Sequence, residues 1–141
     1  MSRTRFSLAL LALLALAVAG CGSSDDSSSS STGAVSASDC TPAKLKTQSA
    51  GQLTVATDKP AFPPYFINDE PTNGKGFESA VAYAVAQQLG YKPGDVKWVV
   101  EPFNSSYAPG PKSFDFDVNQ ISITPARAKQ VDFSAPYYTA D

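Results

Sequence analysis

The permanently charged group that draws attention in this chain is Arg127, in the stretch SITPARAKQVDFSAPYY from Ser122 to Tyr138. A guanidinium is a planar fork of N–H donors that matches the two oxygens of a carboxylate. Ser122 adds a hydroxyl, and Thr124 followed by Pro125 reads as the capped start of a short helix, whose unpaired amides favour an anion. Together these groups would make a carboxylate receptor. Residue types alone leave a plainer reading open, in which Arg127 is a surface residue paired with an aspartate and the hydroxyls only cap the helix. A second set begins at Asp58, followed by the aromatic and proline-rich KPAFPPYF. Phe62, Tyr65, Phe66 and the later Phe103 would either sandwich a ligand or pack as loop and core aromatics. Tyr137 and Tyr138 read as part of an edge strand. Glu78 and Glu101 are the carboxylates that an acid–base pair would need, but no spacing signature joins them.

Composition narrows the chemistry. The 141 residues contain no histidine, which removes the commonest general base, metal ligand and pH switch together. A formal net charge of -2 gives no electrostatic reason to expect nucleic acid. No metal site and no cofactor is expected.

The elements that must hold these groups are legible from pattern. LTVAT, Leu53 to Thr57, is a β-branched strand ending at Asp58. The prolines after it exclude a helix and suit a stiff loop. Beyond the turn NGKG, the residues Phe77, Ala80, Val81, Ala84, Val85 and Leu89 recur at helical spacing, and Gly90 is placed to end the helix. VKWVVE reads as a second strand, FNSSYAPGP as an irregular connection, and FDFDVNQ as a third strand with Phe114, Phe116 and Val118 on one face. Strand, helix, strand, loop, strand, helix is the order of an α/β layer structure with a mostly parallel sheet flanked by helices. In such sheets ligands gather beyond the carboxyl ends of the strands, where the first strand delivers Asp58 and the third delivers Gln120 to Arg127.

Upstream of this unit the chain has another character. MSRTRFSLALLALLALAVAGC places Arg3 and Arg5 ahead of an apolar run from Phe6 to Ala19, the layout of a secretory signal peptide over residues 1–20. The run is short for a membrane span, which needs about 20 apolar residues. LAVAGC resembles a bacterial lipobox, which implies lipidation of Cys21 and anchoring of the mature chain to the membrane on its extracytoplasmic side. Residues 21–50 are read as the lipidated cysteine and a Ser-rich flexible tether. Cys40, left alone if Cys21 carries lipid, is either a free thiol or pairs with a cysteine outside these residues, and the second is expected.

LTVATD, GKGFESAVAYAVAQQLGY and QISITPARAKQVDFSAPYY resemble the bacterial extracellular solute-binding proteins, family 3, the polar amino acid receptors of ABC importers. The resemblance runs from about Gly51 to Asp141, and the last of the three stretches is its most specific part. It implies a periplasmic-binding-protein-like type II fold, of which residues 51–141 are the N-terminal part of the first lobe, the second lobe and the return of the chain lying beyond them. It implies no bond-making chemistry: a monomeric receptor closes over a free amino acid and delivers it to the permease subunits. By position, Arg127 and Ser122 would hold the α-carboxylate, and Gln120 with Ser122 would receive the α-ammonium. Asp58 would face the ligand side chain, and Phe62 and Phe103 would sandwich its stem. The chain also departs from the family pattern. Its loop after Asp58 is one residue longer, which bears on Phe62, and SYAPGPKSF replaces a helix that ends in a Leu-x-x-Gly turn, which bears on Phe103. Asp117 and Asn119 stand at apolar positions, Gln120 replaces a small residue, and GFE replaces GFD. The rival reading is a catalytic or sensory module on the same fold, such as a dehydratase, the receptor-like part of a lytic transglycosylase or a sensor domain.

Overall fold

The structure, a computed structural model, describes residues 36–139. The signal peptide, Cys21 and the first part of the tether lie outside the described residues. Strand β1 (Leu53–Thr57) is the centre of a parallel sheet, with β2 (Val96–Val100) on one side and β3 (Phe116–Asp117) on the other. Leu53 to Thr57 pair with Val96 to Val100, and Val55 and Ala56 pair with Phe116 and Asp117. Every β1 residue is buried, as a strand covered on both faces and both edges must be.

Helix α1 (Phe77–Gln88) crosses from β1 towards β2 and ends at Gly90 in a left-handed conformation, φ +85°. The Gly90 N–H donates to the Gln87 carbonyl and the Tyr91 N–H to the Ala86 carbonyl, a Schellman closure. At the other end no side chain caps the helix; the Phe77 and Glu78 N–H groups donate to the Pro64 and Tyr65 carbonyls, at 3.0 Å each. The proline-rich loop thus supplies the acceptors that a helix start needs.

The buried face of α1 is not the one its bulky residues mark. Glu78, Ser79, Ala82 and Ala86 are buried, whereas Phe77 and Val85 are 40% and 38% exposed. Small side chains let the helix approach the sheet closely, over Leu53, Val55, Phe66, Tyr91 and Val118. Phe66 meets Trp98 edge-on with ring centroids 6.0 Å apart. The bulkier stripe turns to a groove of about 620 Å³ beside β3, where Val81 and Val85 face Ile121, Val131 and Phe133.

Three further expectations are corrected. FNSSYAPGP is not irregular throughout, because Phe103–Ser106 form one helical turn, α2, closed by the Ser105 and Ser106 N–H groups on the Pro102 carbonyl. The helix expected after Thr124 is a single 3-10 turn, Arg127–Lys129. Tyr137 and Tyr138 are not in a strand; among the described residues no strand follows β3, and both rings instead pack on Phe77 at 6.0 and 5.8 Å. Contacts also extend upstream of Gly51. Leu45 packs against the core, and the Gln48 and Thr54 N–H groups both donate to the Asp115 carboxylate at 2.7 Å. Among the described residues Cys40 is a free, half-buried thiol, and no helix is long and apolar enough to cross a membrane.

Asp117 gives β3 an unusual feature. Neither carboxylate oxygen has a hydrogen-bond partner, and the Ser106 hydroxyl that faces this carboxylate is committed to the Phe103 carbonyl at 3.0 Å. Burial, reinforced by the negative charges of Glu78, Glu101 and Asp58, pushes the Asp117 pKa up from 3.8 to about 7, with Ser106 opposing only in part. Between those two values the folded state holds a proton that the unfolded chain has released, so the stability that depends on Asp117 is greatest at low pH and falls as pH rises towards 7. Urea midpoints should therefore decrease from pH 4 to pH 7.5. Asp117→Asn should remove this part of the slope and gain on the order of a few kcal/mol at pH 7. An identical slope in the variant would assign it to other groups.

Candidate functional site

The carboxyl ends of β1 and β3 are adjacent because both strands run parallel, and each leads directly into one half of the candidate site. Asp58 follows β1. Its Oδ1 accepts the Lys59 N–H at 2.7 Å, and its Oδ2 accepts the Phe103 N–H, the first of α2, at 3.2 Å. That second bond fixes α2 against the end of the central strand.

On α2 and its cap, Phe103 and Tyr107 stand one turn apart, with ring centroids 5.5 Å apart in a T-shaped pair. The Arg127 guanidinium lies over both rings, 4.4 Å from the Tyr107 centroid and 5.3 Å from that of Phe103. Its Nη1 donates to the Ser122 carbonyl at 3.1 Å. The backbone beneath it is held by Thr124, whose hydroxyl accepts the Arg127 N–H at 3.3 Å and whose carbonyl accepts the Ala128 N–H at 2.9 Å. The Arg127–Lys129 turn itself has Ala126 at its N-cap with no side-chain cap, so Thr124 braces the turn from two residues further upstream rather than capping it.

Among the described residues the ion pairs are Lys44 with Asp39 and Lys59 with Asp69, and no carboxylate lies within ion-pair distance of Arg127. The surface ion pair that residue types left open is thus not formed. An arginine stacked on aromatic rings, with its charge unpaired and N–H donors to spare, can accept an incoming carboxylate.

Four of the six positions singled out, Asp58, Phe103, Ser122 and Arg127, are joined by direct contacts. Gln120 is turned elsewhere. It adopts φ +48°, its N–H donates to Glu78 Oε1 at 2.7 Å, and its side-chain amide donates to Glu78 Oε2. Its Oε1 and main-chain carbonyl remain as acceptors. Phe62 is 64% exposed and takes no part in the cluster. Tyr65 from the same loop instead lines an adjoining cavity of about 590 Å³ together with Glu78, Gln120, Ser122 and Tyr137. Asp58, Phe103 and Arg127 do not line this cavity, whereas Tyr107 lines the groove beside β3, so the stacked arginine is half-buried between the two.

Glu78 is the residue that sequence reasoning valued least. It is 1% exposed, and besides both Gln120 donors it accepts the Tyr137 hydroxyl at 2.6 Å. Burial, and then the Glu78 carboxylate, push the Tyr137 pKa upwards. With three donors on its oxygens Glu78 is a clamp on the loop after β3, not a free acid or base. Tyr107 has one signal in the sequence, its spacing of one helical turn from Phe103, which the prolines and serines of that segment obscure.

Comparison with known proteins follows the same lines. The model of the bacterial extracellular solute-binding proteins, family 3, matches residues 53–141. A curated relative, named as a probable amino-acid ABC transporter periplasmic-binding protein y4tE of Sinorhizobium fredii (strain NBRC 101917 / NGR234), is 31% identical over 102 residues. The match covers 71% of this chain and 32% of the relative, so the chain spans about a third of that protein's length. No solved structure matches the chain.

Proposed function

We propose that this chain, which belongs to the bacterial extracellular solute-binding proteins, family 3, is the ligand-capturing part of a receptor that takes up a polar amino acid and hands it to the permease of an ABC importer. The observation that carries this reading is the unpaired Arg127 guanidinium over Phe103 and Tyr107, on a helical turn that Asp58 anchors through the Phe103 N–H. A cation and a carboxylate at neighbouring strand ends suit a zwitterion. Arg127 takes its carboxylate, with the Ser122 hydroxyl beside it. The Ser122 hydroxyl and the remaining Gln120 acceptors take the ammonium, and Asp58 favours a side chain that carries a donor, as in glutamine, arginine or lysine.

In this role no bond is made or broken. A second lobe closes over the ligand about a hinge, and the permease distinguishes the closed receptor from the open one. A lipid on Cys21 keeps the receptor, a monomer, at the extracytoplasmic face of the membrane. The relative's name, that of an amino-acid ABC transporter periplasmic-binding protein, supports the substrate class. Calorimetric titration of the full-length folded protein with each common amino acid is the test. Saturable one-to-one binding of at least one polar amino acid is expected, and binding of none of them would overturn the reading.

A further inference from the structure

We propose that Tyr107, backed by Asn104, is a positioning residue for Arg127, holding the guanidinium in a carboxylate-ready orientation before any ligand arrives. The inference rests on the receptor reading above for its purpose, though not for its geometry. Arginine is long and rotamer-rich, and here no carboxylate restrains it. Its restraints are the Tyr107 ring at 4.4 Å, the Phe103 ring at 5.3 Å, the Ser122 carbonyl at 3.1 Å and the Tyr107 oxygen, 3.5 Å from Nη2. The last distance is at the outer limit of a hydrogen bond, so the nearer ring face is the larger of Tyr107's two contributions.

A ring face has a useful property here. It offsets positive charge without consuming N–H donors, whereas an aspartate would occupy the very fork that a ligand must use. Among the described residues only two of the five guanidinium N–H groups have partners, the Ser122 carbonyl and the Tyr107 oxygen.

The Tyr107 hydroxyl is polarised in one direction. It donates to Asn104 Oδ1 at 2.6 Å, so its oxygen turns lone pairs, not a proton, towards Arg127. With its proton committed, Tyr107 is no donor for a ligand carboxylate and acts through Arg127. Asn104 and Tyr107 belong to the turn that opens with Phe103, whose N–H is bound by Asp58. The acidic and basic halves of the site are thereby set by one short segment.

The test has two arms. In isotope-labelled, ligand-free protein, the Arg127 Nη resonances should be resolved by slowed rotation of the guanidinium, and Tyr107→Leu should average them, with Tyr107→Phe intermediate. In titrations with L-glutamine, L-arginine and L-lysine, Tyr107→Leu should weaken binding roughly 5- to 30-fold. Tyr107→Phe and Asn104→Ala should each weaken it roughly threefold. In an Arg127→Ala background, measured at millimolar ligand, all these losses should vanish. Unchanged Nη resonances in Tyr107→Leu, or the same losses with and without Arg127, would overturn the inference. Binding of no amino acid by the wild type would instead remove the receptor reading, and the resonance arm would still decide the positioning role. Tyr107→Phe preserves the packing and keeps the test open if Tyr107→Leu does not fold.

Discussion

Replacing Arg127 with alanine should cost about 2–5 kcal/mol of amino acid affinity, the loss typical of truncating one partner of a hydrogen-bonded charge pair at an interface. The effect follows from the absence of a substitute. Among the described residues no other cation lies over the Phe103 or Tyr107 ring, and the lysine next to that turn, Lys112, is committed to the Ser105 and Ala108 carbonyls, so a carboxylate brought to that surface would lose its forked partner. Most of the change should appear as faster ligand release. Arg127→Lys should recover only part of the loss, because an ammonium keeps the charge but not the fork. Titration of both variants against the wild type checks the order. Equal affinity of wild type and Arg127→Ala would remove Arg127 from the site.

The largest expected loss of stability is at Gly76. Its φ of +94° is strained for any side chain, and a Cβ would lie 2.4 Å from the Tyr65 carbonyl oxygen and 2.7 Å from the Phe66 Cα. Both are backbone atoms and cannot swing aside. Yielding would pull Tyr65 away from the Glu78 N–H, loosening the start of α1 and with it the Glu78 clamp on Gln120. Left-handed strain and overpacking together make Gly76→Ala worth about 2–6 kcal/mol of destabilisation. A domain's whole stability is about 5–15 kcal/mol, so the variant should lose much of its urea resistance. Gly94→Ala is the control: its Cβ would meet nothing within 4 Å, and it should stay within about 0.5 kcal/mol of wild type.

Where a single local signal decides the outcome, sequence and structure agree. The run LTVAT gives a strand with the expected bounds, Gly90 closes α1, and the parallel order brings Asp58 and Arg127 to one end of the sheet. Where two faces compete, residue size misleads. Phe77, Val81 and Val85 form the bulkier stripe of α1, yet close approach to a sheet selects Ser79, Ala82 and Ala86. The site shows the same division. Arg127, Ser122 and Asp58 are recognisable by chemical type, and Phe103 by resemblance. Tyr107 depends on a helical turn that prolines and serines obscure, and the diversion of Gln120 depends on a contact with Glu78 across 42 positions, which no local pattern reveals. Tyr137 and Tyr138 have strand-forming residue types, but strand formation needs a partner edge, and the rings pack on Phe77 instead.

A crystal structure of the full-length protein with an amino acid bound tests the proposed receptor role most directly. The ligand carboxylate should lie about 2.7–2.9 Å from two Arg127 nitrogens, with the guanidinium still over the Tyr107 ring. A bound amino acid whose carboxylate is held elsewhere, while the Arg127 N–H donors face only Ser122 and solvent, would contradict it.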